Sequence, residues 1–230
     1  MVRAPRQGFT LIEVLVAISV MALMTLMAWR GLDGMLRSQR DLQARADQLR
    51  TLQAGLAQWQ TDLDQMTALS GTPSWHWDGK VLRLTRQNPA LSDNGMQVVA
   101  WTWRQDTGRP GGGDWLRWQS PALRTRGAWQ QAWQDAQTWS QSPTEALRRS
   151  EVQLYPLSGW QLYVHRGGNW TNPLSSSTST ASAAPATGAS NTTNPMPDGV
   201  RLVLDLPTAT PLPGRISLDW VRPHLSGGGS

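Results

Sequence analysis

A chain of 230 residues has room for one membrane helix and one modest globular head with its own core, and the absence of cysteine excludes a disulfide frame and thiolate metal ligation. The formal net charge is +5, two units of which come from Arg3 and Arg6, so the rest of the chain is only mildly basic and a charge-driven nucleic-acid binder is not expected. Residues 67–174 hold eleven basic and seven acidic side chains, the one region with a clear basic bias, and it reads as a solvated face.

Residues 1–8 form a short basic leader that ends in Gly8. From residue 9 to 28 the only charge is Glu13, with Thr10, Ser19 and Thr25 as mild polar interruptions. Roughly 20 such residues span a bilayer. The basic flank keeps the N-terminal end cytoplasmic, which sends the rest of the chain across the membrane. A secretory signal carries its small residues after the apolar stretch, whereas this glycine precedes it, so the stretch survives processing. The run Arg6-Gln7-Gly8-Phe9-Thr10-Leu11-Ile12-Glu13-Val14-Leu15-Val16-Ala17 resembles the N-terminus of type IV prepilins and pseudopilins.

The resemblance implies three roles: a prepilin peptidase cuts between Gly8 and Phe9, the new amine of Phe9 is N-methylated, and Glu13 guides assembly. Elementary energetics agree that Glu13 needs a purpose. An acid inside a membrane helix costs about 2.5–3.5 kcal/mol. Cleavage after Gly8 frees an amine four residues before Glu13 on the same helical face, giving a charge pair within one helix or between neighbours. The plain alternative is a signal anchor with a stray acid.

The transmembrane half of the helix is assigned to residues 9–31 and its amphipathic half to residues 32–70. Between Leu32 and Met66 apolar residues recur mostly at intervals of three and four, while Asp33 with Arg37 and Asp41 with Arg45 form i,i+4 pairs on the polar face. Gly31 and Gly34 each weaken a helix by about 1 kcal/mol relative to alanine, so a bend is expected there. A helix from Phe9 to Met66 would measure roughly 87 Å. Ser70, Gly71, Thr72 and Pro73 end it.

From residue 71 to 223 the pattern is that of a β-rich head. Residues 74–85 read as two strands around an Asp78-Gly79 turn. Residues 97–104 read as a further strand, residues 106–114 as a loop, and residues 115–119 as its antiparallel return. The three successive glycines at 111–113 lack the Lys and Ser/Thr of a phosphate-binding loop. Residues 128–149 form a short helix or a covering loop; residues 151–155 and 160–165 are strands, and Gly167-Gly168-Asn169 is a turn before Trp170. An insertion at 175–198, dominated by Ser, Thr, Ala, Pro, Gly and Asn, is expected to be disordered. Residues 200–206 and 215–220 close the head as a strand pair, and residues 224–230 form a flexible tail.

Within the superfamily, Ala28-Trp29-Arg30-Gly31-Leu32-Asp33, Ser158-Gly159-Trp160 and Gly199-Val200-Arg201-Leu202-Val203-Leu204 resemble the minor pseudopilin J group of type II secretion. The Ser/Thr-rich insertion and the tryptophan load depart from that group's pattern. The resemblance implies the α+β pseudopilin fold: a long N-terminal transmembrane and amphipathic α-helix packed on an antiparallel β-sheet head. It implies an inner-membrane, single-pass protein with its C-terminal head in the periplasm. The implied partners are the I, K and H minor pseudopilins, the major pseudopilin, the prepilin peptidase and the inner-membrane assembly platform, in a tip complex that initiates a fibre for export of folded proteins. The K type characteristically lacks the acid that Glu13 supplies.

Other classes fare worse on the same residues. His76, His165 and His224 are scattered and no paired carboxylates or metal-ligand spacing occur, so no catalytic residue, metal or cofactor is expected. Fourteen tryptophans against one Phe and two Tyr would suit stacking on glycan or single strands, with arginines beside Trp103 and Trp118, but alternation within strands points to core. The alternative within the superfamily is a minor pilin of a type IV pilus, serving adhesion, twitching or DNA uptake.

Overall fold

A computed structural model describes residues 10–68, 71–89, 95–175 and 196–223. Gly8, Phe9, Ser70, His224, most of the 175–198 insertion and the 224–230 tail lie outside the described residues. The chain divides into two compact units, Met1–Asp47 and Gln48–Ser230.

The described part of the first unit is a single helix, the start of α1 (Leu11–Asp64). Two hydroxyls in its apolar stretch are satisfied locally. Ser19 Oγ and Thr25 Oγ1 each donate 2.8 Å to the carbonyl four residues back, at Leu15 and Met21, which lets hydroxyls sit in an apolar span. Farther on, the Asp33–Arg37 pair forms as its i,i+4 spacing requires. The helix runs through Gly31 and Gly34 without interruption.

The second unit is built around the remainder of α1. Leu52, Gly55, Trp59, Asp62 and Leu63, spaced by three and four, are its buried stripe. Regular helix ends at Asp64 because the next residues are captured by a strand: Gln65 O accepts from Gln87 N (3.0 Å) and Thr67 N donates to Thr85 O (2.9 Å). The α+β class is as expected from the sequence, with the strands divided between two antiparallel sheets.

The first sheet is a five-stranded meander, β1 (Trp75–Trp77), β2 (Val81–Gln87), β3 (Met96–Gln105), β4 (Gly113–Gln119) and β5 (Glu151–Leu157), each paired with its sequence neighbour. The β1–β2 turn is the expected Asp78-Gly79: Gly79 has φ +93°, and Asp78 Oδ1 accepts from Lys80 N (2.9 Å) and Val81 N (2.8 Å). Between β4 and β5 lie α2 (Arg126–Gln141), whose N-cap Thr125 accepts from Ala128 N at 3.1 Å, and the single turn α3 (Glu145–Arg148). The stretch that read as helix or covering loop is thus a helix that covers.

The second sheet comprises β6 (Gly159–Arg166), β7 (Asn169–Thr171), β8 (Gly199–Leu206) and β9 (Gly214–Val221) in the order β7-β6-β8-β9. The first core joins both sheets to α1 through Trp59, Leu63, Trp101, Trp115, Leu202 and Leu204. The second lies on the other face of the first sheet, where Val98, Ala100, Leu116 and Trp118 meet Trp129, Ala132, Ala136 and Trp139 of α2. Six successive residues of β2 are buried because that sheet is covered on both faces.

Candidate functional site

In the first unit the side chains that would meet lipid or other helices are all exposed. Leu11 is 84% exposed, and Ile12, Leu15, Ile18, Met21, Met24 and Leu32 are likewise exposed. Apolar surface on this scale does not persist in water, so it requires a cover. α1 is the one described helix long and apolar enough to cross a membrane, and it is compatible with a single-pass anchor.

Glu13 stands in the first turn of α1, where the helix dipole favours an acid. Its N–H donates to Thr10 O at 3.1 Å, while its carboxylate Oε2 lies 3.5 Å from Thr10 Oγ1. Of the three residues singled out for processing and assembly, Glu13 alone falls within the described residues; Gly8 and Phe9 lie outside them.

The head contributes a buried charged node that the linear sequence does not announce. Asp62 is fully buried on the stripe of α1 that also carries Trp59 and Leu63. Its Oδ1 accepts from Arg86 Nη1 (2.6 Å), Gln58 Nε2 (2.9 Å) and Arg117 Nη2 (3.0 Å), and its Oδ2 from Arg117 Nε (2.7 Å) and Trp101 Nε1 (2.9 Å). Two guanidinium groups therefore share one carboxylate. Arg86 sheds part of the surplus on the neutral oxygens of Gln65 (3.1 Å) and Gln97 (3.2 Å). Burial lowers the Arg86 guanidinium from its ordinary value; Asp62 opposes this and Arg117 adds to it. The one sequence signal was an acid at an apolar register position of a helix.

Two further polar links fix α2 on the first sheet. Arg83 donates to the Trp133 carbonyl and Gln137 Oε1 (3.2 Å each), packs its guanidinium 5.0 Å from the Trp133 ring centre, and lies 2.9 Å from His76 Nδ1. Burial holds the His76 imidazole below its ordinary value, Arg83 lowers it further, and Asp78 opposes. Arg104 meets Glu151 at 2.9 Å, and the same carboxylate accepts from Trp139 Nε1 at 2.6 Å.

The tryptophans are predominantly core. Eight of the fourteen are buried, and Trp59 sits 5.2 Å from Trp101 edge-to-face while Trp101 lies 4.8 Å from Trp115. Arg104 and Arg117, next in sequence to Trp103 and Trp118, lie against Trp139 and Trp101 inside the head. His76 and His165 do not come together: His76 contacts Arg83, and the His165 ring lies 5.2 Å from that of Trp170. Among the described residues no group of three His, Asp or Glu side chains is arranged to hold a metal ion.

No curated protein matches the chain. Residues 3–29 match the family model of the prokaryotic N-terminal methylation motif. That match spans Gly8, Phe9 and Glu13 and takes in the exposed start of α1, so this chain carries a type IV pilin-like N-terminus on a long N-terminal helix.

Proposed function

We propose that this chain is a minor pseudopilin of a type II secretion system, of the J type, which takes part in the tip complex that starts the pseudopilus. The observation that carries the reading is the methylation motif on a helix whose apolar side chains from Leu11 to Leu32 are exposed. The finer assignment draws support from the two late sequence matches to the J group. They lie on β6 and β8, which pair directly, with Gly159 opposite Asp205 and Trp160 opposite Leu204.

On this reading the prepilin peptidase cuts after Gly8, the Phe9 amine is methylated, and Glu13 offers its charge to an N-terminal amine in the helix bundle. The head stands in the periplasm, the helix in the inner membrane, and the chain has no catalytic chemistry of its own. Its partners are the I, K and H minor pseudopilins, the major pseudopilin and the inner-membrane platform.

The test is co-expression of the full chain with I-, K- and H-type partners, solubilisation in mild detergent and capture on a tag at the C-terminus. A defined complex containing the I and K types supports the assignment. Capture of type IV pilus minor pilins instead, with none of the secretion partners, would place the chain in a pilus.

A further inference from the structure

Among the described residues four strands form the edges of the two sheets, and three of them are blunted. β1 and β7 are three residues long, and β5 carries Pro156 and faces a register irregularity at Trp115/Leu116. β9 is different. It pairs with β8 through eight residues without a shift and has no proline inside it.

The direction of its free groups follows from one hydrogen bond. Arg222 N donates 2.9 Å to Asp198 O, in the same register that sets Val221 opposite Gly199. Alternation then turns the main-chain groups of Gly214, Ile216, Leu218 and Trp220 toward β8, and those of Arg215, Ser217, Asp219 and Val221 outward. These last four residues are exposed.

We propose that the β9 edge pairs antiparallel with β9 of a second copy of this chain, in the two-fold register that sets Ser217 opposite Ser217. In that register every outward N–H and C=O from Arg215 to Asp219 meets a partner, and Arg215 falls opposite Asp219 of the second copy twice over. Within one chain, Asp205 already binds Arg215 (2.7 Å) and Arg201 binds Asp219 (2.6 Å) across β8 and β9. The joined sheet therefore carries rows of alternating sign: Asp205, Arg215, then Asp219 and Arg201 of the second copy. On the inner face Ile216 falls opposite Leu218, which extends the apolar layer.

Other registers lose this match. A shift of two residues sets Arg215 against Ser217 or Val221, and a shift of four sets Arg215 or Asp219 against itself. A shift of one turns the apolar set to the solvent face. The strand contact is small beside the roughly 1,200–2,000 Å² of a stable interface, so the association is concentration-dependent and is favoured by confinement of both copies in one membrane.

The chain has no cysteine, so an introduced thiol is the sole one. Ser217→Cys in the full chain, oxidised in its membrane, should give a disulfide-linked species of twice the chain mass, since hydrogen-bonded antiparallel partners have Cα atoms about 5.5 Å apart. Arg215→Cys and Asp219→Cys should each fail to self-link, their like positions being about 13 Å apart along the strands, yet should link to each other when mixed. Adding Arg215→Asp to Ser217→Cys should lower the linked fraction about tenfold, and exchanging the whole row, Arg215→Asp and Asp219→Arg together with Asp205→Arg and Arg201→Asp, should restore it, because the pairs within each copy are then kept. The proposal fails if Ser217→Cys, with thermal unfolding unchanged, links no better than Val152→Cys on β5. It also fails if the thiol captures another protein or if the fourfold charge exchange does not rescue.

Discussion

Arg117 Nε donates 2.7 Å to Asp62 Oδ2 and so binds the last turns of α1 to β4 through a charge pair with less than a tenth of either side chain exposed. Removing one member of a buried pair is more costly than never having had it, because the remaining charge stays desolvated. Asp62→Ala leaves both Arg86 and Arg117 without their carboxylate and is expected to destabilise the head by about 3–5 kcal/mol. Urea unfolding of the purified chain measures this; a loss below about 1 kcal/mol would show that the two arginines relax to solvent.

On the proposed function, Glu13→Ala should separate assembly from insertion. The substitution removes a carboxyl group that costs about 2.5–3.5 kcal/mol in a membrane helix, so insertion becomes easier, and cleavage after Gly8 is expected to proceed. Incorporation into the fibre is expected to fall sharply, read by shear release and immunoblotting against the uncleaved and cleaved forms. Normal incorporation would remove the charge pair from the mechanism.

His76 predicts a pH dependence with a definite sign. Its folded-state value is depressed from 6.5, first by burial and then by Arg83. The unfolded chain therefore takes up the proton first, and the stability present above pH 6.5 is lost as pH falls from there through the lower folded value. His76→Gln should flatten this part of the profile of melting temperature against pH while leaving the alkaline side unchanged. Superimposable profiles for the two proteins would exclude His76 as the source.

Glycines in this chain differ by what surrounds them. A Cβ on Gly113 would lie 2.3 Å from the Arg104 carbonyl oxygen and 2.7 Å from Trp103 Nε1, so Gly113→Ala is expected to cost about 1–3 kcal/mol through displacement of β3. A Cβ on Gly31 or Gly34 meets nothing within 4 Å, and alanine there should strengthen the helix by about 1 kcal/mol each. Thermal unfolding followed by circular dichroism distinguishes the two cases. Loss of fibre incorporation in Gly31→Ala without loss of stability would mean that the chain uses flexibility at that point.

Local rules made much of this protein legible from its residues. An uninterrupted apolar run with one acid, the Asp78-Gly79 turn, and the alternation of Val99, Trp101 and Trp103 depend on neighbours a few positions away, so helix, hairpin and strand could be read directly. The same holds for the Gly8-Phe9-Glu13 pattern, which the methylation-motif match spans. Other properties depended on contacts between distant positions. The strands divide between two sheets at Ser158, whose N–H turns to Asp205 O at 2.8 Å; a break between two strands was legible there, but no local signal assigns them to different sheets. Residues 128–149 were ambiguous because their apolar positions are tryptophans and alanines among glutamines, and burial against Val98 and Trp118 decides for helix. The burial of Asp62 required Arg86 and Arg117, 24 and 55 residues away, to arrive on neighbouring strands. A residue's propensity and period are written in its own segment, whereas desolvation of a charge is a property of the whole enclosure and exists only once the sheets have closed around it.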